Sequence, residues 1–349
     1  MHERLIDLDG VKVNDDSPCY IIAEIGNNHQ GNLETCKKLI ASAKKAGANS
    51  VKLQKRSNKD LYMPSLYDAN YENKNSYGNT YGEHREFLEF GNEEYKELIQ
   101  FSKDQNITFF STAFDFESFE FLEKLDIPLY KIASGDLLSI PLIKEIAKTN
   151  KPLIVSTGGA EIDDVKRVYD EIMPINNKLV ILQCTAAYPP IYEEMNLNVI
   201  ETYRKMFSDI TIGLSSHDSG IALDLIAYML GARVIEKHFT LNRANKGTDH
   251  SFSLEPQGLE KLVRDLDRTI IALGDGQKRK YPSEEKPLLK MGKKLVFNKA
   301  LKKGDMIRPE DIDMRSPNDG LPPYLLHNFT GKILKKNIEQ WTNLSFDQI

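Results

Sequence analysis

LYKIASGDLLSIPLIKEIAKTNKPLIVST (residues 129–157) is the stretch that decides the fold. It consists of a short apolar run (129–134), a segment whose apolar residues have helical spacing (141–149), and a second short apolar run (152–157). Runs this short, rich in Ile, Val and Leu, are typical of strands in a parallel sheet that is covered on both faces. The stretch therefore predicts one strand–helix–strand unit.

The same unit recurs along the chain, with an amphipathic segment after each apolar run. In the first such segment Leu33, Leu39 and Ile40 recur at helical spacing, and Gly47 is suited to end the helix. Eight strands alternating with helices over about 250 residues predict an α/β fold of the (β/α)8 TIM barrel type, with a doubly wound sheet as the alternative. The eight runs are CYIIAEIG (19–26), SVKLQK (50–55), TFFSTAF (108–114), LYKIAS (129–134), PLIVST (152–157), LVILQCT (179–185), ITIGLSSH (210–217) and VIEKHFT (234–240).

Two regions depart from this pattern. Residues 56–92, rich in Tyr, Asn and Ser, form an insertion in the second unit, and loops this long usually serve function or assembly. After Gly274 the chain becomes charged, proline-marked and aperiodic, and the pieces KLVFNKAL and GKILKKNI then have a β-like composition. We expect a catalytic barrel over residues 1–280, a linker over 281–292 and a small β-rich domain over 293–349.

Composition narrows the class of protein. The 349 residues carry a net charge of −5, which gives no basic footprint for nucleic acid, and the three cysteines show neither disulfide nor zinc-finger spacing. The opening MHERLIDLDG lacks the apolar core of a secretory signal, and no apolar run approaches the roughly 20 residues that span a membrane. We expect a cytoplasmic protein that binds neither nucleic acid nor membrane.

Reactive side chains stand at the ends of the predicted strands, where TIM barrels place their active sites. Two lysines, two histidines and a carboxylate converging on one rim are hard to explain as barrel packing, since buried polar groups need partners. The sequence thus predicts an active site at this rim. Its residues include Glu24, Lys52, Thr112, Lys131, Ser134, Asp136, Ser156, Tyr188, Ser215, His217 and His238.

His217 and His238 end adjacent strands, close enough to share one divalent ion with open coordination positions. Acid–base chemistry without metal is the alternative for this pair. Lys52 and Lys131, with neighbouring hydroxyls, could bind a phosphate or a carboxylate, and the alternative for them is salt bridges within the barrel.

Longer motifs give the chain a specific resemblance. It resembles the sialic acid synthase (N-acylneuraminate synthase) family over nearly its whole length, and the tail KKLVFNKALKKGDMIRPEDIDMRSPNDGLPP resembles that family's antifreeze-like (SAF) domain. The matching stretches are AEIGNNHQG, VKLQK, FFSTAFD, YKIASGD, LIVSTGG, LQCTAAYP, IGLSSHDSGI, EKHFTL and KGTDHSFSLEP.

The resemblance implies a transferase that condenses phosphoenolpyruvate (PEP) with N-acetylmannosamine or a close derivative, giving N-acetylneuraminate and phosphate. It also implies a metal ion (Mn²⁺ or Mg²⁺) on His217 and His238, and a domain-swapped homodimer in which Arg315 of the SAF domain reaches the other protomer's barrel. Glu24 and Asp249 would contact the sugar, and Glu24, Asp136 and Asp249 are the candidates for proton transfer. PEP would be held by Lys52, Thr112, Lys131, Ser134, Ser156 and Ser215, with Tyr188 close by.

Alternatives remain at the level of substrate and of mechanism. The insertion NTYGEHREFLEF is similar both to the animal branch that forms a 9-phosphate from N-acetylmannosamine-6-phosphate and to some bacterial members. Legionaminate or pseudaminate synthesis is a further option. A Schiff-base lyase with Lys131 as nucleophile would be inactivated by borohydride and indifferent to EDTA. The non-enzymatic alternative is a sugar-binding or scaffolding protein on a decayed barrel.

Overall fold

The eight apolar runs form a closed barrel of parallel strands, so the predicted (β/α)8 architecture is confirmed. The structure, a computed structural model, describes residues 4–349; residues 1–3, which open the stretch predicted to lack a signal peptide, lie outside the described residues. The chain divides into a first unit that ends at Leu273 and a second unit, Gly274–Ile349.

A hairpin precedes the barrel and was missed in the sequence, although an Asp-Gly turn between alternating apolar residues is a hairpin signal. Its strands are β1 (Leu5–Leu8) and β2 (Val11–Asn14), which pair antiparallel around Asp9 and Gly10. Leu8 and Val13 pack in one cluster with the lower interior of the barrel. The hairpin therefore closes the amino-terminal end of the barrel.

The barrel strands match the predicted runs to within two residues at each end. Hydrogen bonds join them in chain order, and the last strand closes the barrel against the first. They are β3 (Tyr20–Gly26), β4 (Ser50–Lys55), β5 (Thr108–Ala113), β6 (Tyr130–Ile132), β7 (Leu153–Ser156), β8 (Leu179–Cys184), β9 (Thr211–Ser216) and β10 (Val234–His238).

Helices surround the barrel, and all except those within residues 56–92 bury one face against the outer side of the strands. The first begins where the side chain of Asn32 accepts a hydrogen bond from the backbone of Thr35, and Gly47 follows its end with a left-handed φ of +94°. The helices of this unit are α1 (Leu33–Lys45), α2 (Asn58–Leu61), α3 (Pro64–Tyr67), α4 (Tyr81–Leu88), α5 (Asn92–Asp104), α6 (Phe116–Lys124), α7 (Ile140–Ala147), α8 (Ile162–Ile172), α9 (Val199–Met206), α10 (Ala222–Met229) and α11 (Pro256–Leu273).

The insertion, residues 56–92, holds α2, α3 and α4. Gly82 lets the last two pack closely, since a Cβ at this position would lie 2.5 Å from the ring of Tyr67. Thr80 and Glu83 form a capping box that fixes the start of α4. The insertion is thus an ordered structure with its own packing.

The second unit has a small core of its own, formed by residues such as Leu295, Phe297 and Phe329. Its strands β11 (Lys294–Phe297) and β12 (Ile312–Arg315) pair antiparallel, and α12 (Glu285–Met291) lies in the predicted linker. The β-like piece 331–338 contributes only isolated bridges within the described chain. Among residues 4–349, no helix is long and apolar enough to cross a membrane.

Candidate active site

A cavity of 460 Å³ lies at the carboxyl ends of the barrel strands. Successive side chains of a strand point to opposite faces, so Lys52 faces the cavity whereas Leu53 packs in the outer core. Of the residues predicted from the sequence, all but Asp136 and Arg315 line it. Those that do are Glu24, Lys52, Thr112, Lys131, Ser134, Ser156, Tyr188, Ser215, His217, His238 and Asp249.

Glu24, Lys52, Lys131 and Glu236 form the base of this cavity, which we call the cavity floor. The ammonium of Lys52 pairs with Glu24 and donates a hydrogen bond of 2.9 Å to Thr112 Oγ1. Gln54 Nε2 donates to Glu24 Oε1 at 2.8 Å, which fixes that carboxylate in place. One side of the floor is therefore a buried ion pair held by two neighbouring strands.

Lys131 occupies the other side of the floor. Its Nζ donates to Ser156 Oγ at 2.5 Å and to the carbonyl of Ile132 at 2.8 Å. Glu236 lies between the two lysines, with 3.9 Å from Oε1 to Lys131 Nζ and 3.9 Å from Oε2 to Lys52 Nζ. Both readings from the sequence are thus compatible with the geometry: the lysines form salt bridges, and their ammoniums still line the cavity.

Burial and charge set the protonation of these groups. Burial lowers the pKa of Lys131, partly opposed by Glu236. Burial raises the pKa of Glu236, but the ammoniums of Lys131 and Lys52 outweigh it and bring that pKa down to about 2. The floor therefore holds a carboxylate that stays ionised throughout the neutral range.

His217 and His238 stand on adjacent strand ends with ring centroids 5.3 Å apart. His217 Nδ1 lies 3.1 Å from the carbonyl of Thr185, which makes Nδ1 the protonated nitrogen and leaves the lone pair on Nε2. Burial lowers the pKa of His217 to about 3, so its imidazole is neutral. Tyr188, 55% exposed, packs its ring 4.3 Å from that of His217.

These two histidines fit the implied divalent ion as a partial ligand set. His238 Nδ1 is buried and has no hydrogen-bond partner among residues 4–349, and neutral imidazoles are good ligands. Asp249 Oδ2 lies 3.9 Å from the same nitrogen. Within the described chain, no group of three or more His, Cys, Asp and Glu side chains could hold an ion by itself. An ion here would keep positions open for water and substrate oxygens.

A buried cluster behind the histidines fixes their spacing. Lys237, the residue before His238, donates at 2.7 Å to Asp218 Oδ1, and Asp218 follows His217. Lys237 Nζ also lies 3.6 Å from Asp224 Oδ2 on α10. Each strand end that presents a histidine is therefore tied to the other by a charge-assisted contact.

Two of the predicted residues lie elsewhere. Asp136 follows Ser134 and Gly135 in a 3₁₀ turn beside the cavity, and burial raises the pKa of its carboxyl to about 6. Arg315 belongs to the second unit, where it pairs with Asp313 at 2.6 Å and lies 5.0 Å from the centre of the Trp341 ring.

Four further polar or charged side chains of the cavity lining matter for its chemistry: Gln54, Arg56, Arg85 and Glu236. Three of them follow the alternation of strands that were recognised from the sequence, since Gln54 and Arg56 continue the parity of Lys52, and Glu236 shares that of His238. Arg85 comes from α4 of the insertion, where no strand pattern signals which side chains turn toward a cavity. We call Arg56 and Arg85 together the upper wall.

Comparison with known proteins agrees with this geometry. A model of the NeuB family matches residues 39–278. N-acetylneuraminate-9-phosphate synthase of Homo sapiens is 39% identical over 324 residues, covering 93% of this chain and 90% of that protein. N,N'-diacetyllegionaminic acid synthase of Campylobacter jejuni is 36% identical over 324 residues, covering 92% of this chain and 97% of that protein.

A solved structure shares the architecture. The crystal structure of N-acetylneuraminic acid (sialic acid) synthetase from Leptospira borgpetersenii, in complex with citrate, superposes with a TM-score of 0.70 at 30% sequence identity. The match covers 82% of this chain and 96% of that one.

Proposed function

This chain belongs to the NeuB family, and we propose that it is a sialic acid synthase that joins PEP to an N-acylmannosamine-type sugar. The observation that carries the proposal is the pairing, within one cavity, of a floor with two buried lysines and a rim with two adjacent histidines. The acceptor's substituents differ among the relatives, whose names include a 9-phosphate and a diacetylated product.

The floor suits an anionic three-carbon substrate. Lys52 and Lys131, with Thr112, Ser134 and Ser156 around them, offer charge-assisted and hydroxyl hydrogen bonds to a phosphate and a carboxylate. Ser215 donates to Glu236 at 3.0 Å and so orients the carboxylate between the lysines. Held in this way, PEP would present its C3 in a fixed direction. The bimolecular step then becomes effectively unimolecular, because the reacting atoms are already oriented.

The rim suits the sugar aldehyde. A divalent cation held by His217 and His238 would supply Lewis-acid polarisation of the aldehyde oxygen. Carbon–carbon bond formation joins C3 of PEP to the aldehyde carbon, whose oxygen gains a proton. Water then adds at C2 of PEP and loses a proton, and phosphate leaves. Glu24 and Asp249 line the same cavity, and we assign the exchange of these protons to them.

We propose that the second unit is a SAF domain. We also propose that the active assembly is a domain-swapped homodimer. Arg315 would then serve the sugar site of the partner protomer. Substitution of Arg315 by Ala should raise KM for the sugar while KM for PEP stays constant, and steady-state kinetics measure both. Unchanged kinetics for the sugar would remove Arg315 from the site.

The assay that tests the proposal incubates the protein with PEP, Mn²⁺ or Mg²⁺, and a panel of sugars. N-acetylmannosamine, its 6-phosphate and diacetylated analogues should be compared by phosphate release and by mass spectrometry of the product. We expect a nine-carbon acid from at least one of them. Failure to release phosphate from PEP with every member of the panel contradicts the proposal.

The proposed role of His217 has a test that is independent of turnover. His217→Ala should weaken Mn²⁺ binding, measured by calorimetry on metal-free protein, by at least ~10-fold, the scale on which metal sites respond to local changes. The same variant should lose activity while keeping its circular dichroism spectrum. Near-normal turnover would rule out the metal assignment, and borohydride inactivation of the parent protein with substrate would favour the lyase instead.

A further inference from the structure

Arg56 is an arginine whose buried charge forms no ion pair among residues 4–349. Its side chain is only 7% exposed, it lines the cavity, and its guanidinium stacks 3.7 Å from the centre of the Phe114 ring. Nη2 donates to Gln54 Oε1 at 2.8 Å, but Nε and Nη1 have no hydrogen-bond partner among residues 4–349. Arg56 thus places an oriented cation beside the cavity, with two buried donors that lack a hydrogen-bond partner among the described residues.

Arg85 brings a second guanidinium to the same cavity. Its Nε donates to the hydroxyl of Tyr81 at 3.0 Å, and the guanidinium lies 5.1 Å from the centre of that ring. The capping box at Thr80 and the contact between Gly82 and Tyr67 fix α4, and with it the position of Arg85. The insertion thereby supplies one member of the upper wall and orders it.

The acids near the upper wall are already engaged or lie apart from it. Glu24 and Glu236 line the cavity but pair with the two lysines of the floor. Glu89 contacts the backbone of Arg56 and pairs with Lys55 at 3.1 Å.

Asp249 and Asp136 are the other acids whose charge reaches these arginines. Burial, and then the charge of Arg85, lower the pKa of Arg56, whose guanidinium is a strong enough base to stay charged. Among residues 4–349 these acids act on the two guanidinium groups only at a distance, and neither arginine forms an ion pair.

We propose that Arg56 and Arg85 bind a phosphate group carried by the acceptor sugar at the end opposite its reacting carbon. The inference rests on the proposed function, because it assigns the floor to PEP. Gln54 and Glu24 stand between the Arg56 guanidinium and the Lys52 ammonium in a chain of hydrogen bonds, so the two cations lie at different levels of the cavity. Guanidinium groups match the geometry of phosphate oxygens and form paired hydrogen bonds with them.

The test compares N-acetylmannosamine-6-phosphate with N-acetylmannosamine at saturating PEP. We expect the parent protein to prefer the phosphorylated sugar in kcat/KM by roughly 100-fold, the scale of a buried charge pair at a binding site. Arg56→Gln and Arg85→Gln should each reduce this ratio at least ~10-fold, and Arg56→Lys should restore part of it. Arg264→Gln removes an exposed arginine that pairs with Asp265 and serves as the matched control, with an unchanged ratio.

Three results would overturn the inference. They are a parent protein that uses the unphosphorylated sugar equally well or better, variants whose ratio stays constant, and variants that raise KM for PEP instead of the sugar. If no sugar supports turnover, the proposed function is wrong. Calorimetric titration of N-acetylmannosamine-6-phosphate then still tests the arginines, because binding lost only in the Arg56 and Arg85 variants supports the site and equal binding overturns it.

Discussion

The cavity floor and the upper wall each carry two cations, but the cations of the floor are paired with carboxylates and those of the upper wall are not. On the floor, Glu24 and Glu236 neutralise Lys52 and Lys131 within a network of hydrogen bonds. On the upper wall, two donors of Arg56 have no hydrogen-bond partner among residues 4–349, and Arg85 lines the same cavity. A buried charge costs free energy unless it is paired, so the floor is stable by itself whereas the upper wall gains from a ligand.

The largest effect should follow from breaking a pair on the floor. Lys131→Met leaves Glu236 with half of its counter-charge, and we expect the free energy of unfolding to fall by about 3–5 kcal/mol. Urea unfolding at pH 7.5 measures it. Lys124→Met is the matched control, because Lys124 is exposed and lies 3.8 Å from Glu120, and exposed pairs contribute less than about 1 kcal/mol. Equal stability of the two variants would mean that the floor is not a mutually dependent network.

A much smaller stability change should follow at the upper wall. Arg56→Gln loses the stacking on Phe114, worth about 0.5–2 kcal/mol, and gains by removing a buried charge with two donors that lack a partner among residues 4–349. The two effects oppose each other, so we expect unfolding free energy to change by about 1 kcal/mol or less. Urea unfolding again decides the matter. A loss as large as that of Lys131→Met would show that Arg56 is a structural residue, and the contrast between the two regions would disappear.

A third effect, which depends on pH, concerns Asp136 beside the upper wall. Its pKa is raised from 3.8 to about 6 in the folded protein, so the folded state holds this proton more tightly than the unfolded state does. Ionisation of Asp136 therefore does not lower the free energy of unfolding below pH 3.8. The destabilisation grows between pH 3.8 and 6, and it reaches its full value above pH 6. Asp136→Asn should stabilise the protein at pH 8 by about 1–2 kcal/mol, after discounting for partial exposure.

That gain should shrink as the pH is lowered from 8 to 4.5, as followed by urea unfolding at each pH. Because Arg56 lowers the pKa of Asp136, the gain should be larger when Asp136→Asn is made in the Arg56→Gln protein. A gain that is the same at every pH would exclude the raised pKa as its cause.

The division between floor and upper wall also marks what the sequence could predict. Lys52 and Lys131 sit on short apolar runs, and the two-residue periodicity of a strand tells which side chains face the interior. Arg56 follows the same parity one residue past the end of β4, so it could have been found by extending that strand. Arg85 could not, because its position depends on how α3 and α4 pack through Gly82 and Tyr67.

The ion pairs of the cavity floor could not be predicted from the sequence either. Glu236 belongs to the predicted strand 234–240, but its place between two lysines depends on the stagger of strands around the closed barrel. The N-terminal hairpin was not predicted because each of its strands has four residues, too few for the alternation of apolar and polar residues to identify a strand. The shift of composition after Gly274 is visible in the sequence, but the short helix α12 inside the predicted linker is not.

The hairpin has a kinetic consequence. Leu8 and Val13 fill the amino-terminal end of the barrel, and the cavity lies at the strands' carboxyl ends. Under the proposed assignment, a molecule at Lys52 and Lys131 has to pass Arg56 and Tyr188 both on its way in and on its way out. PEP would then load before the sugar, and inorganic phosphate would depart after the nine-carbon acid. Product inhibition by phosphate should accordingly be competitive toward PEP and noncompetitive toward the sugar. This is the pattern of an ordered mechanism in which the first substrate to bind and the last product to leave occupy the same site.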